Sequence, residues 1–364
     1  MDEPAAMARA LELAWRGWGR VHPNPLVGAV ILQDGAVVGE GWHAQFGAAH
    51  AEAAALTAAG ARARGATLVV SLEPCAHWGK QPPCADALIR AGVARVVAAL
   101  PDPNPAAAGG AARLRDAGVT VELGLLAERA RAQNAAFLRA IAEPARPFVA
   151  LKLATSLDGR IADASGRSRW VSGPAAREYV QWLRAGFDAI AVGGATARAD
   201  DPALTVRGAV VPRVPPVRVV FDRRLELPLD GTLARTARET PVVVVAGQDA
   251  PGSSALEALG VSVLRAPDAA AALRSLRARG IGSVLVEGGG RLAGALLAAD
   301  LVDRFVWIQA PLWLGDGGVP AVAGLPDVPL AQARRWHVVE RRALGEDALL
   351  VVDRHPCSPA SSQR

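Results

Sequence analysis

His50, Glu52, Cys75 and Cys84 are the residues whose types and spacing most directly suggest chemistry in this sequence. Cys75 and Cys84 bracket the stretch CAHWGKQPPC and are two of only three cysteines in 364 residues. A disulfide is one reading, but the N-terminus MDEPAAMARALELAWRGWGR lacks the basic and apolar regions of a signal peptide. In a reducing cytoplasm, paired cysteines more often bind metal or do chemistry. One imidazole and two thiolates give three protein ligands to Zn2+ and leave a fourth tetrahedral position for water, as catalytic rather than structural sites require. A metal held there lowers the pKa of that water towards neutrality. Glu52, two residues past His50 at the start of a helical pattern, can take the water's proton and deliver it to a leaving group without ligating the metal. His77 lies close enough in sequence to act as a fourth, structural ligand, and that alternative stays open.

The elements that must position these side chains alternate between helix and strand. An opening helix is followed by LVGAVILQ and AVVGEGWH, joined at Asp34-Gly35, a strong hairpin signal. HAEAAALTAAG starts a helix; ATLVVSLEP, a helix near CADALIRAG, the strand VARVVAAL, a helix between Gly110 and Gly118, and VTVELG follow. Such α/β alternation predicts a mostly parallel sheet covered on both faces. His50 and Cys75 each follow a strand and precede a helical pattern, so both helix N-termini are expected to face the site and favour thiolate. One long helix, LLAERARAQNAAFLRAIA, then runs into EPARP, whose prolines mark a break. The expected domains are therefore 1–145 and 146–355, with the Pro/Ser-rich 356–364, including Cys357, as a disordered tail.

Composition narrows the function classes. A hydrophobic fraction of 51% supplies two cores, while no apolar run reaches the length of a membrane span. The net charge of +5 invites an anionic partner, yet Lys80 and Lys152 are the only lysines and the arginines are scattered. Without a basic tract interleaved with aromatics, nucleic acid is not expected and a phosphorylated small molecule is. A cytoplasmic location follows from the same reading, and a homo-oligomer is expected.

Taken in order, His50, Glu52, Pro74, Cys75 and Cys84 form the zinc-deaminase signature with a longer gap between the cysteines. HPNPLVGAVI, GEGWH, HAEAAAL, SLEPCAHWGKQPPCADALI, GVARVV and DPNP resemble, in order, the N-terminal half of the bifunctional riboflavin-biosynthesis deaminase/reductase, in which that longer gap is usual. The resemblance implies a cytidine-deaminase-like three-layer domain acting on a diaminopyrimidinone that carries a ribosylamino 5′-phosphate. It implies Asn24 on the base, with His43, His77 and Lys80 near the substrate. Trp78 and Gln81 stand where the family more often has His and Thr.

The second half carries no GxGxxG, so a Rossmann fingerprint is absent. It does carry VLVEGGGRLAGALL, a strand entering a glycine turn and then a helix, where backbone amides can approach a phosphate. LKLATSLDGRIA, SRWVSG, ATARADDPALTVR and VEGGGRLAGALLAADLVD resemble the reductase half of the same family, whose fold is similar to dihydrofolate reductase. The resemblance implies NADPH against Ala154, Trp170, Thr196, Asp200 and the run Gly289, Gly290, Arg291, Leu292, Ala293 and Gly294. Ser168, Arg184, Leu204, Arg207 and Glu287 would then face the substrate, Arg184 and Arg207 gripping its phosphate. Lys152, in an apolar strand-like run, points into the cleft or pairs with a carboxylate. Two rivals remain: a nucleic-acid base deaminase, which would carry a two-residue cysteine gap, and a zinc-stabilised binding protein without activity.

Overall fold

A computed structural model describes residues 1–354, so the expected tail and Cys357 lie outside the described residues. The chain divides into two compact units, Met1–Ala142 and one that begins at Glu143.

The first unit opens with α1 (Glu3–Ala14), which Asp2 caps by accepting from the Ala5 amide at 2.9 Å. The hairpin of β1 (Gly28–Gln33) and β2 (Ala36–Trp42) turns at Asp34 and Gly35, both at positive φ, as the tight turn requires. Then come α2 (Ala51–Ala59), β3 (Thr67–Val70), α3 (Cys84–Ala91), β4 (Arg95–Ala98), α4 (Gly110–Asp116) and β5 (Thr120–Leu123). The sheet order is β2-β1-β3-β4-β5. β3, β4 and β5 are parallel, whereas β1 runs antiparallel to both β2 and β3. The sheet is thus mixed rather than mostly parallel, because the two-residue turn forces its two strands antiparallel. Helices α1 and α2 pack on opposite faces, around a core that includes Met7, Ile31, Leu68 and Leu88.

The expected single helix over 125–142 is instead α5 (Ala127–Gln133) and α6 (Ala135–Ala142), separated by Asn134 at φ −102°. The Asn134 side chain is committed elsewhere: it bonds both backbone groups of Leu26.

The second unit begins with β6 (Phe148–Thr155) and β7 (Arg160–Ala162), separated by a turn within the run that reads as one strand pattern. It continues through α7 (Pro174–Ala185), β8 (Ala189–Gly193), α8 (Gly194–Asp200), β9 (Val217–Phe221), α9 (Thr232–Arg235) and β10 (Val242–Ala246). Next come α10 (Ser254–Ala258), β11 (Ser262–Arg265), α11 (Ala269–Ala278), β12 (Ser283–Val286) and α12 (Gly290–Ala298). β13 (Arg304–Gln309), β14 (Val319–Pro320), β15 (His337–Leu344) and β16 (Asp347–Asp353) close the unit. Its nine-stranded sheet has the order β11-β10-β9-β8-β12-β6-β13-β16-β15. All pairings from β11 to β13 are parallel, and β16 and β15 extend the sheet antiparallel. Strands buried on both faces read as the unbroken apolar runs AIAVG, VVVVA and SVLV. Asp303 ties the strand ends, accepting from both Arg146 guanidinium nitrogens at 2.6 and 2.8 Å and from the Val149 amide at 2.9 Å.

Close backbone contact fixes α2 on its sheet. A methyl group at position 41 would fall 2.3 Å from the Ala51 carbonyl oxygen, and one at position 39 would fall 2.4 Å from that of Ala55. Gly41→Ala is therefore expected to push α2 outward, at a cost of about 1–3 kcal/mol for overpacking. Calorimetry should show the unfolding of the first unit moved down by several degrees, and an unchanged transition would mean α2 is not seated on the glycines.

Candidate functional site

His50 stands at the N-cap of α2 with extended backbone, and Ala51 and Glu52 open the helix. The seating of α2 on Gly39 and Gly41 therefore places both His50 and Glu52. Cys84 is the first residue of α3. Cys75 lies in the loop after β3, and the expectation that it precedes a helix fails: the helix N-terminus belongs to Cys84, because CAHWGKQPPC with its paired prolines forms a loop. The loop is pinned where Ala85 N–H donates to the Cys75 carbonyl at 3.2 Å and Ala76 N–H to that of Ala107 at 3.1 Å.

The three expected ligand atoms converge. His50 Nδ1 lies 3.3 Å from Cys84 Sγ and 3.6 Å from Cys75 Sγ, and all three atoms lie within 4.8 Å of one another. Zinc bonded at about 2.3 Å to sulfur and about 2.0–2.1 Å to nitrogen in a tetrahedron sets an N···S edge of roughly 3.5 Å. The cluster fits that ion. Both cysteines are free thiols, so the disulfide reading is set aside. His77 is not part of the cluster, which leaves the three-ligand arrangement of a catalytic centre.

Electrostatics within the cluster are coupled. Hydrogen bonds from Cys84 and His50 hold the Cys75 thiol down to about 4, while Cys84, as donor to Cys75, is pushed up. The hydrogen bond to Cys75 raises His50. Glu52 is 4% exposed, and burial lifts its carboxyl to about 7. A carboxyl so placed beside the metal ligands can both accept and return a proton near neutrality.

A cavity of about 220 Å³ opens onto the cluster. Asn24, His43, His77 and Lys80 all line it, so the structure brings together every substrate residue expected in the first unit. Asn24 Nδ2 is 3.1 Å from His43 Nε2, and His43 Nδ1 is 3.1 Å from the Ala49 carbonyl. Burial lowers the His43 pKa, which disfavours the charged ring. Lys80 Nζ rests 4.0 Å from the centre of the Phe46 ring. Gln81 donates to the Gly47 carbonyl at 3.1 Å, whereas Trp78 is 78% exposed and does not line the cavity. Sequence reading missed Phe46, Asp102, Asn104 and Phe137, which also line the cavity. DPNP carried a turn signal for Asp102 and Asn104; Phe137 carried none, since only tertiary packing brings α6 to the cavity.

In the second unit the candidate residues gather at the C-terminal ends of parallel strands, where open α/β sheets bind ligands. β8 and β12 are neighbours, so the turn entering α8 lies beside the glycine turn entering α12. Gly288 and Gly289 have φ of +105° and +89°, and a methyl at 289 would fall 3.2 Å from Thr196 Oγ1. Gly290 and Gly294 serve packing: methyls there would fall 2.4 Å from the Pro320 carbonyl and 1.9 Å from that of Ala323. Leu292 lies against Gly193, Ala293 is buried and Arg291 is exposed.

Ser168 Oγ donates to Asp200 at 3.4 Å, Arg169 donates to the Asp200 carbonyl at 2.5 Å, and Trp170, 68% exposed, has the Arg177 guanidinium 4.8 Å from its ring centre. Leu204 is buried at φ +49°, and exposed Arg207 donates its amide to Gln181 at 2.8 Å. Ala154 and Lys152 share one face of β6, and burial lowers the Lys152 pKa against the opposing pull of Glu287. Arg184 already has partners inside the protein. Its Nε and Nη2 bond Glu287 at 2.5 and 2.9 Å, and its Nη1 bonds the Thr205 carbonyl at 2.9 Å. That charge is already matched inside the protein.

The wild-type chain is expected to bind zinc, and His50→Ala and Cys84→Ser are each expected to lose it, as read by elemental analysis. Acidification should release it too, since the ligands must be deprotonated to bind. Arg184→Ala is expected to destabilise the second unit by about 3–5 kcal/mol, because it strands a buried carboxylate; replacing Arg184 and Glu287 together with leucines should recover much of that loss in a denaturant titration.

Comparison with known proteins agrees with this geometry. Residues 2–100 match the cytidine and deoxycytidylate deaminase zinc-binding region, and residues 147–350 match the RibD C-terminal domain. The riboflavin biosynthesis protein RibD of Escherichia coli is 43% identical, with 96% of this chain and 99% of that protein aligned. The solved structure of Acinetobacter baumannii RibD superposes with a TM-score of 0.82 at 39% identity, covering 96% of this chain and 98% of that one. A Thermotoga maritima diaminohydroxyphosphoribosylaminopyrimidine deaminase/5-amino-6-(5-phosphoribosylamino)uracil reductase also reaches 0.82, at 34% identity and the same coverage. With a zinc-binding deaminase unit followed by a reductase unit, the chain belongs to the RibD family of bifunctional deaminase/reductases of riboflavin biosynthesis.

Proposed function

We propose that the first unit deaminates 2,5-diamino-6-ribosylamino-4(3H)-pyrimidinone 5′-phosphate and that the second reduces the ribosyl side chain of the product to ribityl with NADPH. The observation that carries the deaminase reading is the His50, Cys75 and Cys84 triangle with buried Glu52 beside it, at the floor of a cavity rimmed by Asn24, His77 and Lys80. His50, Cys75 and Cys84 hold zinc, which when bound makes water nucleophilic at neutral pH. Glu52 takes the proton from water and passes it to the ring amine, so that the C–N bond breaks, a C–O bond forms and ammonia leaves. Asn24 contacts the base. His77 and Lys80 meet the sugar phosphate with cationic donors on a loop already held in place. The free thiols of the site suit a reducing cytoplasm, and no helix among the described residues is long and apolar enough to cross a membrane.

In the reductase unit, Ala154, Trp170, Thr196, Asp200 and the turn from Gly289 line the cofactor, and the backbone amides of that turn take its phosphates. Lys152, Ser168, Leu204, Arg207 and Glu287 face the substrate. Arg207, exposed and without an ion-pair partner among the described residues, is the better phosphate ligand. Arg184 supports Glu287 and the backbone at Thr205 instead of gripping phosphate. The hydride comes from NADPH, and the protein's part is orientation and charge.

Purified protein should release ammonia from the diaminopyrimidinone without NADPH, and oxidise NADPH only after that release. Glu52→Gln should retain zinc but slow ammonia release by about 10²–10⁴-fold. Full activity in that variant, or no ammonia from the zinc-loaded wild type, would overturn the reading.

A further inference from the structure

Asn134 is a buried polar residue, 4% exposed, that lies outside the cavity and takes no part in the mechanism above. Its carboxamide oxygen accepts from the Leu26 amide at 2.8 Å, and its nitrogen donates to the Leu26 carbonyl at 2.9 Å, across 108 residues of sequence. Both backbone groups of one residue are thus held by a single side chain, in the pattern by which one strand residue pairs another. Leu26 is two residues from Asn24, and Phe137, one turn on from Asn134, lines the cavity that Asn24 also lines.

What the clamp holds follows from hydrogen-bond polarity. The Ala49 carbonyl can only accept, so His43 Nδ1 carries the proton facing it. The group meeting Nε2 at 3.1 Å is the Asn24 nitrogen, which can only donate, so Nε2 is the acceptor of that bond. The Asn24 oxygen is left without a protein partner among the described residues, on a side chain at the cavity wall. It offers an acceptor where an aminopyrimidine offers N–H donors.

We propose that Asn134 is a positioning residue for deamination, holding the chain at Leu26 so that Asn24 presents its carboxamide oxygen to the N–H edge of the pyrimidine. This rests on the deaminase substrate proposed above. Asn134 touches neither substrate nor zinc and acts only through Asn24.

The test is a double-mutant cycle on the full-length, zinc-loaded chain, with ammonia release read as KM and kcat separately. Asn134→Ala should raise KM about tenfold, the worth of roughly one hydrogen bond to substrate, with zinc content and NADPH-dependent reduction of supplied deaminated product unchanged. Asn24→Ala should raise KM similarly, and the double variant should match Asn24→Ala alone, because the second change has nothing left to misplace. Additive effects on KM would overturn the proposal, as would an Asn134→Ala that loses kcat in step with zinc at unchanged KM, the mark of a purely structural role. If Asn134→Ala does not fold, Asn134→Asp, which keeps the acceptor for the Leu26 amide and loses the donor to its carbonyl, is read in the same cycle with the same two outcomes. A wild type that releases no ammonia from this substrate sinks the substrate reading itself; ammonia from the wild type with an additive cycle sinks the positioning role alone.

Discussion

The deaminase unit depends on how closely one helix can approach its sheet. Gly39 and Gly41 leave β2 without side chains under α2, so the carbonyls of Ala51 and Ala55 come within the space a methyl would need. A packed core transmits such a contact rather than absorbing it. The N-terminus of α2 therefore has one position, and with it His50 and Glu52. Gly110 does the same for the opposite wall, where a methyl would fall 1.7 Å from the Pro74 carbonyl, next to Cys75. Three ligand atoms from three separate segments can then meet without any of them being long or flexible.

The reductase unit solves a different problem, which is to gather charge at the C-terminal ends of parallel strands. Glu287 sits at the end of β12 and Lys152 on the neighbouring β6, where burial works against the charge of both. Arg184, reaching from α7, offsets this for Glu287: its bidentate contact keeps the carboxyl pKa below the ordinary value in spite of burial. The glycine turn next to them has no side chains of its own and leaves the space beside Thr196 open.

Asn134 links element boundaries to the site. Its carboxamide serves Leu26 at the point where α5 ends, and Phe137, on the α6 that follows, lines the cavity. A periodic pattern such as LLAERARAQNAAFLRAIA cannot reveal this, because an asparagine on a helix and an asparagine clamping a distant strand entry look alike in one dimension. The same limit misassigned the helix N-terminus at Cys75 and hid the pairing of Arg184 with Glu287, 103 residues away.

The sequence by itself picked out the residues that could hold zinc, and the glutamate beside them, because ligand type and order are local facts: His50 and Glu52 lie within one turn, and Cys75 and Cys84 border one loop. It also determined the α/β class and the Asp34-Gly35 hairpin, through short-range periodicity and turn chemistry. Only the tertiary structure decided the strand orientations, the seating of α2, the Arg184 to Glu287 pair and the clamp of Asn134 on Leu26. Each of these depends on atoms brought together from distant parts of the chain, where packing and the need to satisfy buried polar groups override any local preference.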